Sequence, residues 1–127
     1  QTCALPIWLT DLGHAPLNVR QCLRECDVIV VESNHCPRLL QADTKRPWAT
    51  KQRIAGRHGH LSNEAVRELL ADVASPRWRH VFLTHLSRDC NSRAAVEEAL
   101  AGVRAALGSC RFSVVEQGET TPWLELA

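Results

Sequence analysis

Four short stretches of the sequence carry side chains that can bind metal or move protons. They are Asp11 in Thr10-Asp11-Leu12-Gly13-His14, Glu32 and His35 in Val31-Glu32-Ser33-Asn34-His35, His60 in Gly59-His60-Leu61-Ser62-Asn63, and His85 in Thr84-His85-Leu86-Ser87-Arg88. A carboxylate has two oxygens and can clamp two ions, whereas an imidazole nitrogen offers one directed bond. Taken singly, each has a plainer use. Asp11 is a turn former before Gly13, His35 a hydrogen-bonding residue at a turn, His85 a polar residue at a strand end, and His60 a solvated neighbour of the helix-capping Ser62.

Two further groups could carry chemistry. Cys36 and Cys90 both follow apolar runs, so a zinc site of Cys36, His85 and Cys90 is conceivable in ligand type, although its spacing fits no finger pattern. Cys22 and Cys26, one helical turn apart, read as packing residues. Between residues 44 and 63 there is no acidic residue, while Lys45, Arg46, Lys51, Arg53 and Arg57 fall there with Trp48 among them. A basic stretch with an aromatic suits a phosphate backbone and an unstacked base. A solvated loop whose Trp48 covers the core is the alternative.

The elements that must position these groups alternate. Residues 17–26 carry apolar side chains at 19, 22, 23 and 26, the helical pattern, and lead into the β-branched run 28–31. Pro37 and Pro47 can each start a short helix. Ser62 caps a helix with the stripe Val66, Leu69, Leu70 and Val73, which ends at Ser75-Pro76. Residues 80–84 form a second buried strand. Ser92 caps a long helix ending at Gly108, residues 111–115 form a third strand, and residues 123–126 are expected as a last strand at an edge. This order predicts an α/β fold with mostly parallel pairing. In such sheets ligands bind beyond the carboxyl ends of the strands, where Asp11, Glu32, His35 and His85 fall.

Composition sets the outer limits. The 127 residues make one domain, with 45% hydrophobic and 23% charged residues, as in ordinary globular proteins. The formal charge of +1 gives no global attraction to nucleic acid or membrane. No apolar run approaches the ~20 residues of a membrane span, no secretory leader is visible, and the six cysteines form no CxxC pair. A cytoplasmic protein with reduced thiols and no membrane partner is expected.

In their order, the four stretches resemble the C-terminal half of metallo-β-lactamase-fold hydrolases, and most closely the YycJ (WalJ) branch related to ribonuclease Z. The resemblance runs from about Leu9 to the C-terminus. It implies half of an αββα sandwich and, in the intact parent, a centre of two divalent ions, zinc or manganese. Asp11 then resembles the carboxylate that bridges the metals and His85 the last histidine ligand. His60 resembles the histidine that contacts the scissile phosphate and protonates the leaving group, with Glu32 as its orienting carboxylate. His35, Ser62, Lys51 and Arg53 are expected on the substrate side, Ser62 at a helix N-terminus that favours phosphate. The implied activity is a phosphodiesterase or exonuclease acting on nucleic acid. A small-molecule ester, thioester or lactam hydrolase and a non-catalytic remnant are the alternatives.

The sequence departs from the family in one large respect. His58-Gly59-His60 only superficially resembles the metal motif H-x-H-x-D-H, since Ser62 and Asn63 stand where Asp and His are required. Without that motif the chain alone is expected to be inactive although its intact parent is an enzyme. The absence of Met and the abrupt end of the resemblance suggest a piece of something longer. Residues 4–7 match the translated end of a common sequencing adapter, so residues 1–8 are expected to be a scar and residues 9–127 a partial domain. The alternative is a true strand ending at Ile7-Trp8-Leu9. Sequencing the source DNA is expected to reveal adapter sequence upstream of Leu9; an unbroken frame running back into an H-x-H-x-D-H motif would refute the scar.

Overall fold

The computed structural model describes residues 5–125. Four parallel strands lie side by side in the order in which they occur: β1 (Pro6–Leu9), β2 (Val28–Glu32), β3 (His80–Thr84) and β4 (Arg111–Val114). Parallel neighbours need crossover connections, and helices supply them. These are α1 (Leu17–Glu25) after β1, α2 (Pro37–Ala42), α3 (Trp48–Ala55) and α4 (Asn63–Val73) after β2, and α5 (Arg93–Ala106) after β3. No described helix is long and apolar enough to cross a membrane.

Side chains alternate across a strand, so the register sorts them by face. Leu9, Val31, Leu83 and Val114 form one row across the sheet, and Ile7, Ile29, Val81 and Phe112 a second on the same face. This face joins one core with Leu23 of α1, the α4 stripe Val66, Leu69, Leu70 and Val73, and Val96, Leu100 and Val103 of α5. The opposite face carries Trp8, Val30, Phe82 and Ser113 in one row. Trp8 is 71% exposed there, and Val30 and Phe82 are only partly covered.

Several local signals act as the sequence predicts. Ser62 Oγ accepts from Ala65 N and caps α4, and Ser92 Oγ accepts from Ala95 N and caps α5. Pro37 is the first residue of α2, and Pro47 stands immediately before α3. The expected edge strand at residues 123–126 does not form. Residues 123–125 are irregular with Trp123 fully exposed, and Leu126 lies outside the described residues. Residues 123–125, with the charged Glu125 among them, pair with no strand among the described residues, and a segment without a pairing partner has no reason to be a strand. Cys22, read as packing, is exposed, whereas Cys26 is buried as expected, with its thiol pushed up to about 11 by burial.

A buried polar cluster laces the carboxyl end of β2 to the starts of α4 and α5. Ser33 Oγ donates to Asn63 Oδ1 (2.7 Å), Asn63 Nδ2 donates to Asn91 Oδ1 (2.9 Å), and Asn91 Nδ2 donates to the Ser33 carbonyl (2.8 Å). All three residues are buried, so each lost partner strands a polar atom without water. Asn63→Ala is expected to destabilise the fold by about 1–3 kcal/mol for each partner left unpaired. Urea unfolding with circular dichroism measures it, and an unchanged midpoint would show that water replaces the amide.

Candidate functional site

The carboxyl ends of the first three strands meet at one place. Asp11 lies two residues beyond β1, Glu32 is the last residue of β2, and His85 directly follows β3. Glu32 pairs in register with Thr84, which sets His85 beside it. His60 comes from the turn between α3 and α4, where its backbone N donates to the Ile54 carbonyl (2.9 Å).

Two close backbone contacts hold these loops. A Cβ on Gly13 would lie 2.2 Å from the Gly56 carbonyl oxygen, so the loop carrying Asp11 packs directly on the turn before His60. A Cβ on Gly59 would lie 2.2 Å from the carbonyl oxygens of Arg53 and Ile54, so only glycine lets that turn close on the end of α3. On the other side, Asn34 Nδ2 donates to the His85 carbonyl (2.9 Å) and Ser87 N donates to the Asn34 carbonyl (2.7 Å). Asp11 and His85 both have a φ of 58°, a left-handed conformation costly to residues with a Cβ and concentrated at functional sites.

Glu32 is the centre of the constellation. Its side chain is 0% exposed, and one oxygen, Oε1, is 2.5 Å from His60 Nδ1 and 2.8 Å from His85 Nδ1. Leu12 N donates to the other oxygen at 3.4 Å. Asp11 Oδ1 lies 3.5 Å from His60 Nδ1, and the two imidazole rings are 5.4 Å apart. Each of Asp11, Glu32, His60 and His85 offers a ligand atom within 4.8 Å of the others. When both Nδ1 atoms donate to Glu32, both Nε2 atoms are left for a metal or a substrate. A histidine ligand anchored through its second nitrogen by a carboxylate is the common arrangement at metal sites. Asp11 and His85, with Glu32 and His60 beside them, are side chains of the types that bind zinc or manganese.

The other predicted residues are placed differently. His35 is 2% exposed, and its buried Nδ1 has no hydrogen-bond partner. Its carbonyl accepts from Asn63 N (2.9 Å), and burial, with His60 as a smaller influence, pushes its pKa down to about 4. Ser62 sits at the α4 N-terminus with its hydroxyl used as the cap. Lys51 Nζ donates to the carbonyls of Gln41 (3.0 Å) and Asp43. Arg53 lies in the last turn of α3 and makes no ion pair among the described residues. Lys45 and Arg46 are both paired with Asp89. Trp48 is 68% exposed and does not cover the core.

Cys36 and Cys90 are neighbours through a backbone hydrogen bond of 2.9 Å, but the His85 ring turns to Glu32, and the acid–histidine cluster includes neither thiol. Two features escaped sequence reasoning. One is the contact between Glu32 and His85, which the parallel register of two adjacent strand ends could have signalled. The other is a pair of cavities sharing His35 and His60, lined by residues from α2, α3 and the loop after β3 that are remote in sequence.

A parallel α/β domain with two carboxylates and two histidines converging at the carboxyl end of its sheet is the class that fold and site define. Within it, the chain belongs to the YycJ/WalJ family. It is 32% identical over 111 residues, 87% of its length, to "Exodeoxyribonuclease YycJ" of Bacillus anthracis. It is 32% identical over 85 residues, 67% of its length, to "Exodeoxyribonuclease WalJ" of Streptococcus pneumoniae serotype 2. The matches span 40% and 31% of those proteins respectively. No protein-family model matches the chain.

The depressed pKa of His35 ties stability to pH. The unfolded chain takes up a proton near pH 6.5 that the folded chain refuses until about pH 4, so this contribution is complete above 6.5 and is lost as pH falls through that window. Its full size is on the order of 3 kcal/mol. Urea titrations from pH 7 to pH 4 are expected to show His35→Gln losing less stability than the parent; parallel losses would mean that His35 does not resist protonation.

Proposed function

We propose that the chain supplies the C-terminal half of a metallo-β-lactamase-type αββα sandwich, and that the whole protein is a metal-dependent phosphodiesterase that degrades DNA from an end. The observation that carries this reading is the convergence of Asp11, Glu32, His60 and His85 from four separate loops. The names of the two relatives supply the substrate class. The partly covered second face of the sheet, with Trp8, Val30 and Phe82, suits a second sheet packed upon it.

Asp11 and His85 would hold divalent metal, zinc or manganese, with two ions in the whole enzyme. Metal bound there supplies Lewis acidity to the phosphoryl oxygens and acidity to a water. Glu32 fixes both imidazoles by accepting their Nδ1 protons, so His60 turns Nε2 toward the substrate. With Nδ1 held by the buried carboxylate, His60 serves as the general acid that gives a proton from Nε2 to the leaving oxygen. His35, Ser62, Lys51 and Arg53 lie on the substrate side, with Ser62 marking the positive end of the α4 dipole.

Isothermal titration of the chain with zinc and manganese is expected to show weak binding that Asp11→Ala and His85→Ala abolish, because a closed site requires more ligands. Tight two-site binding would show that the ligand set is different. In the protein completed by an H-x-H-x-D-H half, His60→Ala is expected to lower phosphodiester turnover by ~100-fold to ~10,000-fold with metal content unchanged. His85→Ala is expected to lose metal and activity together. Metal analysis beside initial rates decides the roles, and loss of metal in His60→Ala would make that residue a ligand.

A further inference from the structure

The larger of the two cavities beside the cluster has a volume of about 640 Å³, within the range of small-molecule sites. His60 and Ser62 line it, so it opens onto the candidate site. Its lining is nearly neutral. No carboxylate contributes, and the single Lys or Arg side chain is that of Lys51, whose ammonium is already engaged by the carbonyls of Gln41 and Asp43. Apart from the α4 N-terminus at Ser62, beside His60, such a lining offers little to a phosphate. It matches a flat, neutral heteroaromatic ring. Trp48 is 68% exposed at the cavity, Leu40 and Pro37 supply apolar surface, Gln52 brings an amide, and His35 brings a buried Nδ1 with no partner.

The second cavity, of about 340 Å³, differs in chemistry although it shares His35 and His60. Arg46 and Asp89 line it as an ion pair, Arg88 lines it and makes no ion pair among the described residues, and Ser87 and Asn34 line it as well. A free guanidinium with hydroxyl and amide groups suits a phosphate backbone. His60 therefore stands where a cavity suited to a base and a cavity suited to phosphate meet.

We propose that the larger cavity receives the terminal nucleobase of a single-stranded DNA end, stacked on Trp48, with the attached phosphate at His60. This rests on the nuclease reading above and adds to it a subsite for an unpaired end. Stacking of a base on an aromatic side chain tolerates any of the four bases, so the subsite selects a frayed or single-stranded terminus rather than a sequence.

The test is the affinity of the chain, with zinc or manganese present, for internally labelled single-stranded oligodeoxynucleotides, measured by fluorescence anisotropy. One oligonucleotide carries natural ends and the other abasic residues at both ends. Natural ends are expected to bind about tenfold tighter, and Trp48→Ala is expected to remove the difference. Trp48→Phe should keep part of it, and Trp123→Ala, remote from the cavity, all of it. Equal binding of the two oligonucleotides by the parent chain would overturn the base subsite while leaving the nuclease reading intact, and this comparison depends on no variant. Failure to bind either oligonucleotide would also overturn the base subsite on this chain, whereas the nuclease reading stands or falls on turnover by the completed protein.

Discussion

A carboxylate with no contact with water sits at the end of the second strand, and the candidate site is arranged to satisfy it. Desolvating a charged carboxylate costs several kcal/mol unless hydrogen bonds compensate. Glu32 receives two imidazole N–H groups on one oxygen and a backbone N–H on the other. The demand is mutual. Each imidazole is orientated by the bond that it donates, so one buried group fixes two rings that arrive from loops 28 and 53 residues away in sequence.

The surrounding scaffold leaves these loops little freedom. Parallel pairing puts the carboxyl ends of the strands at one edge, and the Ser33–Asn63–Asn91 cluster ties that edge to the two helices that begin there. The same Asn63 that spoils the H-x-H-x-D-H reading of the sequence is thus a structural amide. Gly13 and Gly59 complete the frame by bringing backbone against backbone where any side chain would intrude. The two cavities lie within this frame, which is how exposed Trp48 and buried His35 come to line a common space.

Much of this was legible in the sequence because it follows from short-range rules. The β-branched run at residues 28–31, the apolar run at 80–84, the capping serines at 62 and 92 and the alternation of elements give a parallel α/β sheet, and the strand-end rule points to Asp11, Glu32 and His85. Long-range facts were less accessible. That His85 shares an oxygen with His60 depends on register, and register is a property of two strands rather than of either one. The basic stretch was read as a unit, yet its members part company once folded: Lys45 and Arg46 neutralise Asp89, Lys51 closes on carbonyls without an ion pair, and Arg53 and Arg57 likewise make no ion pair among the described residues. The expected strand at residues 123–126 failed for the same reason, since apolar composition cannot reveal whether a partner edge is present.

The left-handed backbone at Asp11 and His85 sets the site against the fold that carries it. A residue with a Cβ costs roughly 1–2 kcal/mol in that conformation, and glycine relieves the strain while giving back part of the gain through its more flexible unfolded state. Laboratory selection for thermal robustness alone would accordingly drift toward glycine at both positions and discard a carboxylate and an imidazole in the process. Persistence of Asp11 and His85 in a population of variants would then be a signature of selection on chemistry, readable without any assay.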